Sequence, residues 1–477
     1  MLKTIRCLLL WLCISSPPSQ AYDLLADPFD TLSEVSATPA KNALATPCQF
    51  ADSPPSPLTL LDAVERVLCH NPQTRVAWAN VKAQAAAVGT GWSAYLPTLN
   101  ARGTANKAAK RSTFPGHSGY STNVSPAELE GSLNLNWVLY DFGLRAANLE
   151  SARQLLNAAN ASQDDVLQTA FLNTAQAFYE AQAAQALLSA NRESEEAAEK
   201  SFNAAEAKYT AGVGTVADKL QAQTAHAQAV SKRVQTEGDV QSTMGSLSIL
   251  MGLRPDSALN ITVITEEAAD EALFQQAVEG LIEQAVRNHP KILAAQAQVK
   301  ATQAKKEGIT AAGRPTLSLT ASEDYFHTNA TPINNQGTSN QAVNSQRIGL
   351  QVDIPLFEGF GRHYKESEAE AQVESKQAEL ANTEQQVALD VWKSYQALRT
   401  GAENLKASNT LIISALQSFE VAQGRYKAGV GNILELLKAQ SDLASAHQQK
   451  LLAITLWQTA RVKLATSLGQ LGMDIIS

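Results

Sequence analysis

Long apolar runs, clustered histidines and closely spaced cysteines are all missing from this sequence of 477 residues. Beyond the first 21 residues no segment offers about 18 or more consecutive apolar side chains, so we predict no transmembrane helix. The chain also lacks His-Glu-x-x-His, Gly-x-Ser-x-Gly and cysteine pairs at metal-binding spacing, and its histidines are scattered. We therefore expect no enzyme activity, no metal site and no cofactor.

Basic residues are outnumbered by acidic ones. Lys and Arg total 38 against 46 Asp and Glu, which gives a net charge of −8 at pH 7. Because a nucleic-acid partner requires a basic surface, we expect no such partner.

The first 21 residues have the pattern of a signal peptide. Lys3 and Arg6 give a basic start, residues 7–14 form a short apolar core, and Ser19-Gln20-Ala21 forms a small-residue cleavage site. Cleavage would leave a chain that begins at Tyr22, with a net charge of −10 because Lys3 and Arg6 are lost. We therefore expect an exported protein.

Two of the four cysteines, Cys48 and Cys69, would remain after this cleavage. A single cysteine pair in an exported chain favours a disulfide, which would join the N-terminal extension to the first helix. The alternative is a pair of unbonded, buried thiols.

Proline is absent between Pro126 and Pro255 and again after Pro355. Residues 143–208 and 360–425 lie in these stretches and are dominated by Ala, Gln, Glu, Leu and Lys, which favour helices. At about 1.5 Å per residue, each predicted helix would be roughly 100 Å long. Apolar residues recur at seven-residue spacing, which indicates coiled-coil packing. They are Phe171 with Phe178, Leu172 with Tyr179, and Leu436, Leu443, Trp457 and Leu464.

The sequence is also duplicated. A shift of about 217 residues aligns its two halves, and the offset changes by only one residue along the chain. A repeat of this length indicates a symmetric architecture and is much larger than a solenoid unit. The aligned positions are Asn71-Pro72 with His289-Pro290, Tyr140 with Phe357, Arg145 with Arg362, and the segment 209–214 with 426–431.

We divide the chain after the signal peptide into an irregular extension, residues 22–57, and two repeats, residues 58–273 and 274–477. Each repeat is predicted to contain a helix, two strands and a long helical hairpin.

The first helix of each repeat is predicted to break where proline disfavours the helical state just before it. These helices cover about residues 60–95 and 274–312, with breaks after His70 and at His289. For both histidines we expect capping or surface roles, because no carboxylate or cysteine set accompanies them.

Apolar and polar residues alternate in residues 132–140 and 347–354, with the period of two that defines a half-buried strand. The apolar set is Leu133, Leu135, Trp137, Leu139, Ile348, Leu350, Val352 and Ile354. The polar set includes Asn134, Asn136, Gln351 and Asp353.

Weaker alternation in residues 98–107 and 316–326 predicts partner strands, with polar loops at residues 108–127 and 328–345. Such strands, with aromatic residues near their ends, are typical of an outer-membrane barrel, and a soluble sheet packed on helices is the alternative. Four strands cannot close a membrane barrel, which needs about eight, and open edges do not survive in lipid. Strands in a membrane would therefore require several chains to share one barrel.

Both long hairpins turn at similar motifs, which contain Ala-Gly-Val-Gly. Glycine after a helix end adopts the left-handed conformation that stops the helix, and the next helix begins at once. These are not phosphate-binding loops, because neither follows a strand nor precedes Gly-Lys-Ser/Thr.

With its signal peptide, duplication, paired strands and Tyr-x-x-Gly-x-Gly tips, the chain resembles the TolC family of outer-membrane channel-tunnel proteins over about residues 58–473. The resemblance implies an α+β membrane protein in which a homotrimer shares a twelve-stranded β-barrel, four strands from each chain. Long coiled-coil helices would form a periplasmic α-barrel. The implied location is the outer membrane of a Gram-negative bacterium, with the helices projecting into the periplasm.

The resemblance also implies roles for particular residues, and turn geometry or ordinary solvated charges are the alternatives. The hairpin tips would dock to a periplasmic adaptor protein. The tip residues are Tyr209, Gly212, Val213, Gly214, Tyr426, Gly429, Val430 and Gly431. The periplasmic entrance would carry Asp218, Glu435 and Lys438. Lys438 departs from the acidic pattern of some relatives, so salt bridges between Glu435 and Lys438 of different chains are expected to hold the entrance. Strand parity assigns the polar set to the barrel lumen and the apolar set to lipid.

The implied function is a passive exit duct that works with an adaptor and an inner-membrane ABC or RND-type transporter. We favour type I protein secretion, because the cysteine pair and the Pro-rich extension resemble the subgroup associated with adenylate cyclase-haemolysin secretion. Small-molecule or multidrug efflux is the first alternative, and a coiled-coil envelope spacer is a distant one.

Overall fold

A computed structural model describes residues 27–41, 48, 54–113, 115–116, 122–124, 126–263, 278–330 and 339–470. The predicted signal peptide, residues 1–21, lies outside the described residues. Among the helices in these ranges, none combines the length and apolarity needed to cross a membrane.

The helices repeat in order and in length. Within the described residues, each half has α-helices of 11, 22, 67 and 35 residues, in that order. This correspondence agrees with the predicted duplication. The helices are α1 (Leu60–His70), α2 (Pro72–Ser93), α3 (Leu144–Thr210), α4 (Val216–Leu250), α5 (Val278–Asn288), α6 (Pro290–Ala311), α7 (Gly361–Lys427) and α8 (Ile433–Ser467).

Both proline breaks separate a short helix from a longer one that starts at the proline. At the first break the side chain of Asn71 accepts a hydrogen bond from the Gln73 backbone N–H at 2.8 Å. At the second, Nδ1 of His289 accepts one from the Lys291 backbone N–H at 3.2 Å. His289 therefore acts as a helix cap, which confirms the predicted role, because its ring nitrogen satisfies an N–H that the helix leaves free.

Four long strands form one antiparallel sheet in the order β1-β4-β5-β6, and β2 and β3 form a separate two-stranded sheet. The strands are β1 (Thr98–Lys107), β2 (Lys110–Ser112), β3 (Thr122–Val124), β4 (Ala127–Tyr140), β5 (Thr316–Ala330) and β6 (Ser339–Asp353). The sheet order places β1 and β6 at its edges.

The strands extend further into the predicted loops than expected. β2 and β3 lie within residues 108–127, while β5 and β6 occupy both ends of residues 328–345. Residues 339–346 read Ser-Asn-Gln-Ala-Val-Asn-Ser-Gln and have no clear alternation, so a period-two search misses them. They are strand because their backbone pairs with β5, up to Ala330 with Ser339.

Contacts group the chain into two units, and each unit combines segments from both sequence halves. The sheet unit contains Lys82–Asn157 and Ala297–Ala378, and the helical unit contains described residues of Ser36–Val81, Ala158–Gln296 and Glu379–Ser477.

In the sheet unit, an arginine fixes the passage from β4 into α3. Arg145 pairs with Asp141 at 2.8 Å and donates to the carbonyl oxygen of Val138 at 2.7 Å. Both charged side chains are largely buried, with 13% and 9% exposure. The repeated residue, Arg362, donates to the Gly313 carbonyl oxygen at 3.1 Å. The internal alignment matched these two arginines but predicted no role for them. In the structure both donate hydrogen bonds to backbone carbonyl oxygens at the strand–helix junctions.

The helical unit is held together by large side chains at the predicted heptad positions and by many alanines. Phe171, Phe178 and Trp457 are at most 2% exposed, and Leu436 and Leu464 are also buried. Alanine at many buried helix positions lets neighbouring helices approach closely.

The described part of the N-terminal extension from Ser36 onward belongs to the helical unit, and the part before it belongs to the sheet unit. Cys48 and Cys69 form a disulfide with Cα atoms 5.7 Å apart, which joins the extension to α1. Upstream, Lys41 pairs with Asp164 at 2.6 Å, and the Pro39 carbonyl accepts from the side chain of Gln163 at 2.9 Å. The predicted irregular extension also contains a short 3-10 helix, Thr31–Glu34.

The His289 cap makes stability depend on pH. Burial, and secondarily the charge of Lys291, lowers the pKa of His289 from 6.5 to about 4, although Asp390 opposes the shift. A lowered folded-state pKa means that the unfolded chain binds the proton more readily. The contribution of neutral His289 to the free energy of unfolding is therefore full above about pH 6.5. It is lost as the pH falls towards 4, and the loss is at most about 3 kcal/mol.

We expect His289→Asn, which copies the natural cap Asn71, to remove this dependence. Thermal unfolding of the detergent-solubilised protein from pH 4 to pH 7.5 would measure it. The parent should lose more stability than the variant on acidification. Asp165, whose pKa burial raises, is present in both proteins and cancels in the comparison. Parallel pH profiles would contradict the assignment.

Candidate functional site

The two hairpin tips are nearly identical in backbone structure. α3 ends at Thr210 and α7 at Lys427, and the glycines that follow, Gly212 and Gly429, have φ values of +76° and +79°. In the first tip the residue after the glycine, Val213, donates its N–H to the carbonyl oxygen of Lys208, five residues earlier, at 3.0 Å. In the second tip the same bond is 3.1 Å long. These left-handed glycines end both helices, as the sequence predicted.

The second glycine of each tip is required for a different reason. Neither Gly214 nor Gly431 has a positive φ, but both donate to the same carbonyl as the preceding residue, at 3.0 Å. A Cβ atom on Gly214 would lie 3.0 Å from the Lys208 side chain, and one on Gly431 would lie 3.0 Å from the Arg425 side chain. The tight turn leaves no room for a side chain, a constraint that the sequence pattern does not reveal.

The acids after the tips belong to helix caps. The Thr215 side chain accepts from the Asp218 N–H at 3.1 Å, and the Asn432 side chain accepts from the Glu435 N–H at 2.7 Å. Asp218 and Glu435 thus lie in the first turns of α4 and α8, where the helix dipole favours a negative charge. This geometry explains an acid at both positions without any role at an entrance.

Within one chain, the charges predicted at the entrance have partners close by. Glu435 lies 3.3 Å from Arg425, and Lys438 lies 2.6 Å from Asp442 on the same helix. All four side chains are 43% to 75% exposed, so each pair contributes about 0–1 kcal/mol and is easily exchanged. The salt bridge between chains stays a prediction.

The tips expose apolar side chains to solvent. Val213 is 78% exposed, Val430 is 71% exposed and Tyr209 is 44% exposed. A single exposed apolar side chain is normal on a surface, but here two equivalent turns expose equivalent valines.

Tyr426 differs from its counterpart Tyr209 and is a correction to the predicted docking set. It is only 8% exposed and packs in a cluster with Ala205, Ile433 and Leu436. The Lys208 ammonium lies 3.8 Å from its ring centroid, and burial, with a smaller effect of Asp218, raises the pKa of its hydroxyl. Tyr426 therefore fastens the two hairpins together and is not available at the tip surface.

A groove lies beside the tips, between α3, α4 and α8. Its cavity has a volume of about 650 Å³ and is lined in part by Leu220, Leu434 and Lys438. Leu220 and Leu434 are 54% and 57% exposed, so the groove offers apolar surface close in sequence to the exposed valines.

Near the ends of the strands that join the helices, the sheet has one apolar and one polar face; further along the strands, Glu323 pairs with Leu133 and lies on the apolar side. Its register aligns Leu135 with Ala321 and Ala321 with Ile348, while Asn134 aligns with Ser322. Since directly paired residues lie on the same face, the predicted apolar and polar sets fall on opposite faces across all four strands. Two details differ from simple parity. Leu139 and Tyr140 together oppose Leu317 at a bulge, and Ile354 lies one residue beyond β6.

Besides the predicted Asp353, the polar face carries five charged residues that the prediction did not single out. By register it bears Glu128, Glu130, Asp324 and Asp353 against Arg102 and Arg347, a net charge of −2. The register, which pairs distant segments, is what brings these six side chains onto one face.

Comparison with known proteins identifies the architecture. The solved structure of the outer membrane protein VceC from Vibrio cholerae matches with a TM-score of 0.71 and 18% identity, over 86% of this chain and 96% of that chain. The fold is therefore that of an outer-membrane channel protein.

Sequence comparison gives the family. Residues 63–253 and 281–470 match the family model described as outer membrane efflux protein. Protein CyaE of Bordetella pertussis is 31% identical over 451 residues, 92% of each chain. The toluene efflux pump outer membrane protein TtgC of Pseudomonas putida is 26% identical over 420 residues, which cover 86% of this chain and 82% of TtgC.

The chain belongs to the outer membrane efflux protein family, the TolC family. It is an efflux or secretion channel of the Gram-negative outer membrane, and the members of its family are channels rather than enzymes.

The two kinds of tip glycine predict a matched pair of variants. Gly431→Ala should weaken the second tip by about 1–3 kcal/mol, because the new methyl group overlaps the end of α7. Gly424→Ala, in the same helix, should be neutral or stabilising, since its Cβ would meet nothing within 4 Å. Amide hydrogen exchange at residues 425–435 would measure both. Equal protection in the two variants would contradict the close-approach argument.

Proposed function

We propose that the protein is the outer-membrane exit duct of a three-part export system, in which a homotrimer of this chain meets a periplasmic adaptor and an inner-membrane transporter. The observation that carries the proposal is the division of the four-stranded sheet into an apolar and a polar face. An apolar face suits lipid and a polar face suits an aqueous lumen, and the two edge strands leave room for neighbouring copies.

In this arrangement the net-negative polar face lines the conduit. Asn134, Asn136, Gln351 and Asp353 belong to that face, and its charge would tune the passage of ions and charged cargo. The apolar set, from Leu133 to Ile354, faces the hydrocarbon. Ile348 and Leu350 are 77% and 69% exposed in the single chain, which is the exposure that lipid would cover.

The tips are the proposed docking surface for the adaptor. Val213 and Val430 supply exposed apolar contacts, and the groove beside them continues that surface. Gly212, Gly214, Gly429 and Gly431 shape the turns that present the valines.

For the cargo, we favour type I protein secretion through an ABC-type transporter. The disulfide between Cys48 and Cys69 and the extension packed on the helices support this choice, because these features resemble the subgroup associated with adenylate cyclase-haemolysin secretion. The identity to CyaE, 31%, also exceeds the identity to the toluene efflux relative, 26%.

The alternative is the outer-membrane part of a small-molecule efflux pump, fed by an RND-type transporter. The similarity to TtgC, a toluene efflux pump component, favours it. A coiled-coil envelope spacer is less well supported, because a spacer has no need for a sheet with two chemically distinct faces.

Charge at the exposed valines should disrupt docking. We expect Val213→Asp combined with Val430→Asp to reduce export at least about tenfold, because each variant places a charge in an apolar contact. The trimer should still reach the outer membrane in normal amounts. Val263→Asp is the matched control, since Val263 is as exposed as Val213, at 78%, but lies away from the tips in sequence. Normal export in the double variant would remove the tips from docking.

Deletion of the gene distinguishes the two cargo classes. In type I secretion, the culture medium of the deletion strain should lack one large secreted protein, and re-expression of this chain should restore it. An unchanged medium, together with new sensitivity to drugs and bile salts, would instead identify small-molecule efflux. The double-aspartate tip variant should reproduce whichever defect is found.

A further inference from the structure

A cavity of about 1110 Å³ lies in the sheet unit, directly next to the strand–helix junctions. Helices α2, α3 and α6 form most of its wall. Three aromatic side chains line it, Trp92, Tyr95 and Phe142. Neither the export route nor the docking tips use this cavity.

Aromatic contacts connect the cavity to the apolar face of the sheet. The rings of Tyr140 and Phe142 lie 4.6 Å apart, and Tyr140 opposes Leu317 in the row of apolar residues. Nε1 of Trp137, on the same face, donates to the Tyr95 carbonyl oxygen at 2.9 Å. The cavity therefore continues the apolar face and not the polar one.

The cavity also contains cations. The Arg153 guanidinium lies 5.1 Å from the Trp92 ring centroid, and Arg314 donates to the Phe142 carbonyl oxygen at 3.2 Å. Lys306, the third cation, pairs with Glu370 at 3.0 Å. Two carboxylates, Glu150 and Glu307, also line the cavity, so its lining has a net charge of +1.

The combination of aromatic side chains and cations in this cavity suits a lipid at a membrane–water boundary. Aromatic side chains favour the headgroup level of a bilayer, and basic pockets next to membrane segments bind acidic headgroups. Among the described residues, the contacts shown for Arg153 and Arg314 are a ring face and a carbonyl oxygen. Their charges are therefore not neutralised by those contacts.

We propose that this cavity binds the phosphate headgroup of an anionic phospholipid from the periplasmic leaflet of the outer membrane. The acyl chains would lie along the apolar face of the sheet, and Arg153 and Arg314 would contact the headgroup. The aromatic side chains would surround the glycerol region. The proposal rests on the proposed function in one respect, that the apolar face of the sheet lies in lipid.

The test is lipid binding to the intact protein, extracted in detergent and stripped of lipid by washing. Native mass spectrometry with added phosphatidylglycerol would count bound lipids. We expect Arg153→Gln combined with Arg314→Gln to weaken binding about tenfold or more, because each lost charged contact contributes substantially. Arg153→Gln alone, which leaves the junction contact of Arg314 intact, should show a smaller loss. Arg254→Gln, at a side chain that is 84% exposed outside the cavity, should bind normally.

Two further ligands distinguish binding of an anionic lipid headgroup from binding of free phosphate. Phosphatidylcholine should bind more weakly than phosphatidylglycerol, and inorganic phosphate should not compete. Equal binding of phosphatidylglycerol by the parent and the double variant would overturn the proposal, and so would full competition by inorganic phosphate. Export is measured in parallel with the parent protein. Normal export without lipid binding would reject this site alone, whereas a protein that is absent from the outer membrane would reject the proposed function.

Discussion

The stability of this fold in a membrane depends on whether the two edges of its sheet find hydrogen-bond partners. A four-stranded sheet in the order β1-β4-β5-β6 has the backbone N–H and C=O groups of β1 and β6 on its outer sides. In hydrocarbon, each such group without a hydrogen-bond partner costs several kcal/mol, so an isolated sheet of this kind is unstable in a membrane. In the proposed homotrimer, pairing with neighbouring copies would supply those partners. Assembly would then be a condition of membrane insertion.

This constraint also explains why the chain has so little apolar core in its sheet unit. Large side chains such as Ile348 and Leu350 stay exposed in the single chain, whereas the buried aromatic residues Phe171, Phe178 and Trp457 lie in the helical unit. In the proposed arrangement the sheet would gain its stability from lipid and from neighbouring copies. The helical unit gains it from burial within the chain.

Much of this architecture was predictable because it depends on local patterns. Proline positions located the helix breaks, the absence of proline located the long helices, and alternation located the centres of β4 and β6. Residues 339–346 escaped prediction because their strand state depends on backbone pairing with β5. The burial of Tyr426 and the crowding at Gly431 were equally hidden, since both depend on neighbours that the linear pattern does not specify. The duplication suggested two equal tips, and packing made one tyrosine a core residue and left the other exposed.

The equal lengths of the repeated helices have a consequence for how this protein can change. α3 and α7 both have 67 residues, and their ends meet in one packed cluster around Tyr426. Inserting a single residue in α3 alone would advance its end by about 1.5 Å and rotate it by about 100°. Ala205 and Phe202, which α3 contributes to that cluster, would then point elsewhere. A change in length would keep this cluster only if it added whole turns or was matched in the other half, so the lengths of the two repeats are coupled to each other.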